Sequence, residues 1–233
     1  MNAVSNPLDF RSRPFPHWCF DIGGVSIRFV GRTGPAPKAR RAAVLRQLEG
    51  APSEIAWVKQ RHSAVVRRAS SGSCGDGDAL WTRRSGLALA IVTADCVPVV
   101  CGRPGAVAAI HAGWRGLVAG VIGATLDELP GPRKELEAWL GPAIGPCCYE
   151  VDEEVAQLVT ASSDDSARRV GDPSKKPHVD LHRAAEIQLR RLGVERIHRV
   201  DACTRCNPGI LWSHRGGSEA NGRNLSFAWL GGA

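Results

Sequence analysis

Residues 86–116 read "GLALAIVTADCVPVVCGRPGAVAAIHAGWRG" and contain three apolar runs that are almost continuous. The runs occupy positions 86–95, 97–102 and 106–112. One cysteine separates the first two, and an Arg-Pro-Gly segment precedes the third. Runs without polar alternation are typical of strands that are covered on both faces. This stretch therefore predicts the buried centre of a sheet.

Further strands and helices are predicted to alternate on both sides of this centre. The strands are expected over 23–30, 55–60, 63–69, 136–145, 194–200 and 224–230. The helices are expected over 37–50, 116–129, 152–161 and 180–193, the last two opening with Asp152 and Asp180 as N-caps. Residues 1–19 are interpreted as a loose arm and 162–176 as a polar loop. Since there is neither an internal repeat nor a clear linker, residues 20–233 are expected to form one α/β domain.

Composition and charge narrow the classes of function. The chain has 233 residues, 43% hydrophobic content and a formal net charge of +7. Its basic residues are spread along the whole length and are not interleaved with stacking aromatics, so we expect no nucleic-acid binding. A small anionic substrate suits the charge equally well. No apolar run is long enough to cross a membrane, and no secretion-signal pattern opens the sequence, so a cytoplasmic protein with reduced thiols is expected.

Three residues at predicted strand ends have the chemistry of a metal site. Cys96 follows the first apolar run, His111 ends the third, and His62 follows the strand predicted over 55–60. Two imidazoles and one thiolate leave a fourth tetrahedral position open, which is typical of catalytic rather than structural zinc. The same Cys and His also permit a nucleophilic Cys–His pair that needs no metal. Both interpretations stay open at this level.

The segment after His111 predicts an anion site. Gly113 and Gly116 allow the backbone to approach a ligand closely, and a helix is predicted to begin near Gly116. The start of a helix favours negative charge, and Arg115 is placed to assist through its guanidinium.

Several motifs in order resemble the YfiH family, the laccase-domain proteins formerly described as polyphenol oxidases. These are "KQRH", "VTADCVPVV", "HAGWRGL", "GPAIGPCCYEV" and "CTRC…SHR…GRNLSFAWL", which together span about residues 20 to 230. The resemblance implies one α/β domain with mixed β-sheets flanked by helices. It also implies zinc bound by the residues at positions 62, 96 and 111, the set already reached from their chemistry.

For activity, the resemblance implies phosphorolysis of adenosine, inosine and methylthioadenosine, with adenosine deamination as a side activity. Purine nucleosides and phosphate are the expected partners. Cys96, His111 and Asp95 are the candidate catalytic residues, and the candidate substrate-binding residues are Lys59, Arg41, Arg115 and Arg215. Copper is less favoured than zinc, because laccase-type copper sites need many His ligands and this chain has seven His in total.

The N-terminal part departs from the family pattern. "FDIGGVS" stands where the family has an Arg before its Gly pair, and the Gly-rich segment that usually follows is shortened to "FVGRTGPAP". Two alternatives to a phosphorylase therefore stay open. One is a Cys–His hydrolase that edits peptidoglycan precursors, and the other is a degenerate member that binds metal or nucleotide without catalysis.

The remaining Cys, His and Asp residues carry weaker expectations. Asp78 is a candidate to orient a zinc-bound His. "CTRC" at 203–206 has the spacing of a zinc knuckle, but a four-Cys site needs a second pair, and the adjacent Cys147 and Cys148 lack that spacing. We therefore expect no structural zinc there, and the thiols of Cys147 and Cys148 are expected to pack inside. The His at 178, 182 and 198 are expected at the solvent edge.

Overall fold

The three apolar runs of residues 86–116 form one interior strand of a first sheet and two interior strands of a second. The computed structural model describes residues 9–33, 41–169, 175–217 and 222–231. Within these residues the first run forms β8, which is paired on both sides, and the other two form β9 and β10, which pair with each other. The prediction of a buried centre is confirmed, because the side chains of all three strands are almost entirely buried.

The strands of the described residues are numbered in chain order. They are β1 Asp9–Arg11, β2 His17–Ile22, β3 Val25–Val30, β4 Glu54–Lys59, β5 Val66–Arg68, β6 Gly72–Asp76, β7 Ala79–Thr82, β8 Leu87–Thr93, β9 Val97–Arg103, β10 Ala106–Ala112, β11 Glu137–Leu140, β12 Arg168–Arg169, β13 His178–Val179, β14 Arg196–Arg199 and β15 Asn224–Leu230. The helices are α1 Arg41–Leu45, α2 Trp114–Val118, α3 Val121–Glu128, α4 Glu153–Ser162 and α5 Leu181–Arg191, with short 3-10 turns at Arg133–Glu135 and Asp165–Ala167.

Two mixed sheets stack face to face. The first has the order β1-β2-β3-β15-β8-β4-β6, and the second has the order β14-β11-β9-β10-β7-β5. Side chains from both sheets, including Phe29, Leu89 and Trp139, form the core between them. Helices α2 to α5 cover the outer face of the second sheet, and α1 covers part of the first. The expected class, a single α/β domain with mixed sheets flanked by helices, is confirmed.

Three local predictions need correction. The loose arm predicted for 1–19 is wrong from residue 9 onward, because β1 and β2 form a hairpin whose second strand pairs with β3. The helix predicted over 116–129 is two helices, α2 and α3, because Gly120 between them has a left-handed φ of 80°. Asp152 does not cap α4, because its carboxylate pairs with Lys176 at 2.7 Å instead.

Other predictions fall partly outside the described residues. The first four residues of the helix predicted over 37–50 belong to that group, and the described remainder is helical only over α1. The domain boundary at residue 20 and the cytoplasmic location stay predictions. Within the part of the chain that the structure describes, no helix is long and apolar enough to span a membrane.

His182 is buried rather than at the solvent edge. Helix α5 packs between the second sheet and its neighbouring helices, so most of its surface is covered, and the His182 side chain is only 2% exposed. Its Nε2–H donates to the carbonyl oxygen of Gly141 at 2.8 Å. Burial disfavours the charged imidazolium and lowers the pKa of His182 to about 4.

This pKa predicts an acid-dependent loss of stability. Below a pH of about 6.5 the unfolded chain protonates this imidazole while the folded protein does not, so protonation stabilises the unfolded state down to a pH of about 4. His182→Gln keeps an N–H donor for Gly141 but removes the titration. Between pH 7 and 5, the free energy of unfolding should therefore fall by about 1–2 kcal/mol less in the variant than in the wild type.

The measurement is urea denaturation of metal-free proteins at both pH values. His214→Gln, at an exposed position, is the matched control and should keep the wild-type pH dependence. Equal pH dependence in the His182→Gln and His214→Gln variants would contradict the role of burial.

Candidate metal centre

His62, Cys96 and His111 come together at one end of the two stacked sheets. Their nitrogen and sulfur atoms all lie within 4.8 Å of one another. The Sγ of Cys96 is 3.8 Å from Nε2 of His62, and the two imidazole rings meet edge to face with centroids 4.7 Å apart. The sequence thus predicted correctly which three residues meet, although they are separated by up to 49 positions.

His62 lies in the loop after β4, and the side chain of Gln60, two residues earlier, anchors the start of that loop. The side-chain amide of Gln60 donates to the carbonyl oxygen of Val92 at 2.7 Å and accepts from the Val92 N–H at 2.8 Å. This pair ties the end of β4 to β8. His62 itself has a φ of +61°, a left-handed conformation that is uncommon for a residue with a side chain.

Cys96 lies in the tight turn that carries the chain from β8 in the first sheet to β9 in the second. The residue before it, Asp95, has a φ of +89°, which is also left-handed. The buried Asp95 carboxylate accepts from the hydroxyl of Thr204 at 2.6 Å and from the backbone N–H of Arg215 at 2.7 Å. These bonds hold a strained turn in place and direct the Asp95 carboxylate toward the protein rather than toward Cys96.

His111 is the second-last residue of β10 and is oriented by Asp78. Its Nδ1 lies 2.8 Å from Oδ1 of Asp78, and because an ionised carboxylate only accepts, the imidazole donates through Nδ1. Nε2 is therefore the nitrogen left for a metal, as in other carboxylate–histidine–metal arrangements. This contact agrees with the expectation that Asp78 orients a ligand.

Asp78 also organises the loop that carries His62. Its carboxylate accepts from the backbone N–H groups of Arg61, His62 and Ser63 at 2.7 to 3.1 Å, and from the Ser63 hydroxyl at 2.7 Å. One buried side chain thus sets the positions of two of the three candidate ligands.

The electrostatics of the three residues favour a negatively charged thiolate. Burial raises the pKa of the Cys96 thiol, but hydrogen bonds with His111 and His62 outweigh burial and lower it to about 7. Burial lowers the pKa of His111, but Asp78 and Cys96 outweigh burial and raise it to about 9. Burial also opposes ionisation of Asp78, yet the bonds from His111 and Ser63 keep its pKa well below the usual range.

The donor set fits a zinc ion. Tetrahedral zinc with ordinary Zn–N and Zn–S bonds brings nitrogen and sulfur ligands to roughly 3.5 Å from each other. The 3.8 Å between Cys96 and His62 is close to that separation. Three protein ligands leave one coordination position for water or substrate, which matches catalytic rather than structural sites.

The backbone of Gly113 lies so close to two of the candidate ligands that a side chain there would collide with them. It directly precedes α2, and a Cβ atom on it would lie 2.8 Å from Sγ of Cys96 and 3.0 Å from Cδ2 of His62. Gly116, in the same helix, has only ordinary neighbours at 3.4 Å and beyond. The close approach of both glycines to a bound molecule stays a prediction, and what the structure shows is a close approach of Gly113 to two candidate metal ligands.

The candidate substrate-binding residues differ in how far their side chains are already engaged with the protein. Arg115 lies in the first turn of α2 with its guanidinium exposed and 4.4 Å from the Trp114 ring centroid. Among the described residues no carboxylate forms an ion pair with it. The Arg215 guanidinium donates to the carbonyl oxygen of Glu150 at 2.8 Å.

The other two basic residues lie in the first sheet and in the helix that covers part of it. Lys59 is exposed at the end of β4, three residues before His62. Arg41 opens α1 and lies 5.8 Å from the Trp57 ring centroid. Within the described residues, no hydrogen bond joins it to the three candidate ligands.

Tyr149 is a residue near the centre that the sequence did not single out. Its ring packs under the guanidinium of Arg215 at 5.1 Å. Burial raises the pKa of Tyr149 to about 12, and the charges of Cys96, Arg215, Asp95 and Arg115 act on it. Only its position inside the family motif "GPAIGPCCYEV" could have drawn attention to it.

A second group of potential ligands corrects the expectation for the cysteine motifs. The thiols of Cys147, Cys148, Cys203 and Cys206 lie within 4.8 Å of one another, although the sequence spacing indicated that no four-Cys group would form. Cys147 is exposed rather than packed inside. Spacing along the chain did not reveal the group because a long-range bridge between Ala143 and Cys203 brings its two halves together.

Comparison with known proteins places this geometry in context. Residues 35–231 match the family described as multi-copper polyphenol oxidoreductase laccase. The chain is 40% identical over 200 residues to a purine nucleoside phosphorylase of Pseudomonas aeruginosa, covering 84% of this chain and 81% of that protein. It is 36% identical over 183 residues to the purine nucleoside phosphorylase YfiH of Escherichia coli, covering 77% and 75%.

Solved structures show the same fold. A Neisseria meningitidis protein is 29% identical and superposes with a TM-score of 0.81, covering 93% of this chain and 99% of that one. YlmD from Geobacillus stearothermophilus is 24% identical with a TM-score of 0.84, covering 97% and 100%.

The close approach of Gly113 yields a direct test of the centre. The methyl group of Gly113→Ala would have to displace Cys96 or His62, and overpacking of this kind costs about 1–3 kcal/mol. Zinc affinity should therefore fall about tenfold to a hundredfold, because 1.4 kcal/mol corresponds to a factor of ten. Gly116→Ala is the matched control and should bind zinc like the wild type.

Competition against a chromophoric chelator measures both affinities, and circular dichroism verifies that both variants are folded. If Gly113→Ala bound zinc as tightly as Gly116→Ala, His62 and Cys96 would not form the metal centre.

Proposed function

Since the chain belongs to the YfiH-like family of laccase-domain proteins, we propose that it is a zinc-dependent purine nucleoside phosphorylase. Adenosine, inosine and methylthioadenosine are the proposed substrates, with adenosine deamination as a side activity. The observation that carries the proposal is the convergence of His62, Cys96 and His111 from three strand ends. The curated relatives named as phosphorylases, matched over three quarters or more of their length, support the choice of reaction.

The proposed metal ligands are His62 through Nε2, Cys96 as thiolate and His111 through Nε2. When bound, zinc supplies Lewis-acid polarisation of an oxygen atom and lowers the pKa of a coordinated water. The protein contributes the orientation of the ligands: Asp78 holds His111 in one tautomer, and Asp95 holds the turn that carries Cys96. We therefore propose a positioning role for Asp95 in place of proton transfer.

Phosphate is proposed to bind at Arg115. In phosphorolysis a phosphate oxygen attacks the anomeric carbon of the ribose, the N-glycosidic bond breaks, and its electron pair leaves with the purine. The products are ribose 1-phosphate and the free base. A guanidinium holds phosphate through paired hydrogen bonds that an ammonium cannot reproduce, and that of Arg115 is exposed beside the candidate centre. Because α2 has only five residues, we assign the anion to the side chain and not to the helix.

Arg215 and Tyr149 are proposed to form the wall next to phosphate. The backbone N–H of Arg215 is committed to Asp95, while its guanidinium spans from Tyr149 to the Glu150 carbonyl. A phenol is protonated at neutral pH, and burial raises the pKa of Tyr149 further. Its hydroxyl can therefore donate a hydrogen bond to a departing purine but does not act as a base.

Lys59 and Arg41 are proposed to contact substrate less directly. Lys59 ends β4 three residues before His62, where its exposed ammonium adds positive charge near the centre. Arg41 stacks on Trp57 and is half-buried, so it requires a local rearrangement to reach a nucleoside.

A Cys–His hydrolase is the second candidate function. The observation that favours it is the lowered pKa of Cys96 beside the raised pKa of His111, which together favour a thiolate–imidazolium pair in metal-free protein. Such an enzyme would act on cell-wall precursors through a covalent intermediate on Cys96. It would work without phosphate and would tolerate chelators.

Phosphate dependence tests the leading proposal. Arg115→Lys should lower kcat/KM for phosphate about tenfold to a hundredfold, since an aligned charge-assisted pair is worth roughly 1.5–3 kcal/mol. Nucleoside binding should change much less. Arg61→Lys is the matched control, because the Arg61 side chain is exposed nearby but pairs with Asp76 at 3.1 Å.

The measurement follows ribose 1-phosphate formed from inosine and from adenosine as phosphate is varied. Release of free base at an equal rate without phosphate would refute phosphorolysis. Turnover that survives zinc removal, with Cys96 becoming covalently labelled, would favour the hydrolase. Zinc binding without turnover of any purine nucleoside would identify a non-catalytic member.

A further inference from the structure

Four cysteine thiols form a second cluster away from the proposed catalytic ligands. Cys147, Cys148, Cys203 and Cys206 place their sulfur atoms within 4.8 Å of one another. We propose that these residues bind a second zinc ion in a closed tetrathiolate site whose role is structural.

The distances fit a tetrahedral ion. Four sulfur ligands at ordinary Zn–S distances lie roughly 3.8 Å apart. The Sγ of Cys206 is 3.7 Å from that of Cys147 and 3.4 Å from that of Cys148. Disulfide-bonded sulfur atoms are about 2.05 Å apart, and all four thiols are free. A sulfur that faces two partners at once is arranged for shared coordination rather than for one covalent bond.

The backbone brings the two pairs of cysteines together in a defined way. Cys203 pairs with Ala143 in an isolated parallel β-bridge, and the N–H of Thr204 donates to the Ala143 carbonyl oxygen at 3.0 Å. The side-chain amide of Asn207 donates to the Cys203 carbonyl oxygen at 2.8 Å, which stabilises the turn between Cys203 and Cys206. The thiols therefore lie on two loops with fixed backbones and do not meet by chance on mobile side chains.

Gly145 completes the surroundings of the sulfur atoms. Its N–H donates to Sγ of Cys203 at 3.2 Å, a bond that favours thiolate at this ligand. A Cβ on Gly145 would lie 3.2 Å from Sγ of Cys147 and 3.3 Å from Cβ of Cys203. The absence of a side chain here permits the close approach of the two loops.

The charge of the proposed site comes from the ion and its own ligands. Four thiolates around Zn²⁺ carry a net charge of −2. The cavity of about 540 Å³ that Cys147 and Cys203 line is also lined by two Arg and two Asp residues, Arg169, Arg199, Asp180 and Asp201, so its charged side chains balance. Soft thiolate ligands in tetrahedral geometry select zinc or an iron–sulfur cluster, and we propose zinc because the sulfur separations match a single ion.

The proposed ion would join segments that are far apart in sequence and would support the first centre. Thr204 lies between Cys203 and Cys206 in the knuckle, and its hydroxyl donates to Asp95, the residue before Cys96. Tyr149 directly follows Cys148 and packs against Arg215. The second ion would therefore hold residues that position the Cys96 turn. The two proposed zinc sites share no ligand.

Metal analysis of the full-length protein tests the proposal. Protein from zinc-supplemented cells, purified under reducing conditions, should contain two zinc ions per chain. Cys206→Ser should contain one, Cys96→Ser should contain one, and the double variant should contain none. Cys74→Ser, at a half-buried thiol outside both groups, is the matched control and should keep two.

X-ray absorption at the zinc edge gives a readout that does not depend on folding of the Cys206→Ser variant or on activity. In Cys96→Ser, the remaining zinc should show four sulfur neighbours at about 2.3 Å and no nitrogen. Loss of all zinc in Cys96→Ser, nitrogen or oxygen neighbours around the zinc of that variant, bound iron with inorganic sulfide, or two thiols lost to a disulfide would each overturn the proposal. Because Cys96→Ser removes only the first centre, failure of the proposed catalytic zinc and failure of the proposed four-Cys zinc are distinguishable.

Discussion

The buried carboxylate of Asp78 connects the two sheets at the point where the candidate ligands meet. It precedes β7 in the second sheet and accepts from three backbone N–H groups and a hydroxyl in the loop after β4, which belongs to the first. It also accepts from His111 on β10. A buried carboxylate without partners would cost several kcal/mol, so this set of donors is what permits its burial.

The bonds of Asp78 and Asp95 also explain how two uncommon backbone conformations persist. His62 and Asp95 both have left-handed φ values, each of which costs on the order of 1–3 kcal/mol unless the surroundings fix it. Asp78 fixes the first through the N–H of His62, and Thr204 with the N–H of Arg215 fixes the second. Each strained residue is, or directly precedes, a proposed metal ligand, which suits a centre whose geometry is set before metal binds.

The sequence predicted the parts of this arrangement that depend on local patterns and side-chain chemistry. The apolar runs of 86–116 predicted the central strands, and the preference of zinc for imidazole and thiolate selected His62, Cys96 and His111. The sequence did not predict the four-Cys group, because its halves are brought together by the long-range bridge between Ala143 and Cys203.

Burial of single residues was equally hard to predict, because it depends on how layers stack. The amphipathic pattern of α5 indicated one exposed face at His182, but this side chain is buried against the segment after β11, where it bonds to the Gly141 carbonyl. The N-terminal hairpin was missed because β1 is short and exposed and takes its structure from its pairing with β2. The roles of Arg115 and Arg215 depend on which groups occupy their hydrogen bonds, and spacing does not reveal that.

Substitution of Asp78 tests the central claim, that its carboxylate sets the positions of both His62 and His111. Asp78→Asn preserves shape and one acceptor oxygen but loses the charge that orients the imidazole. The zinc affinity of the folded variant, measured by chelator competition, should fall about tenfold to a hundredfold. Asp76→Asn, at an exposed position two residues earlier that pairs with Arg61, should bind zinc like the wild type. If Asp78→Asn also bound zinc with wild-type affinity, the carboxylate would not control the centre, and the account would be contradicted.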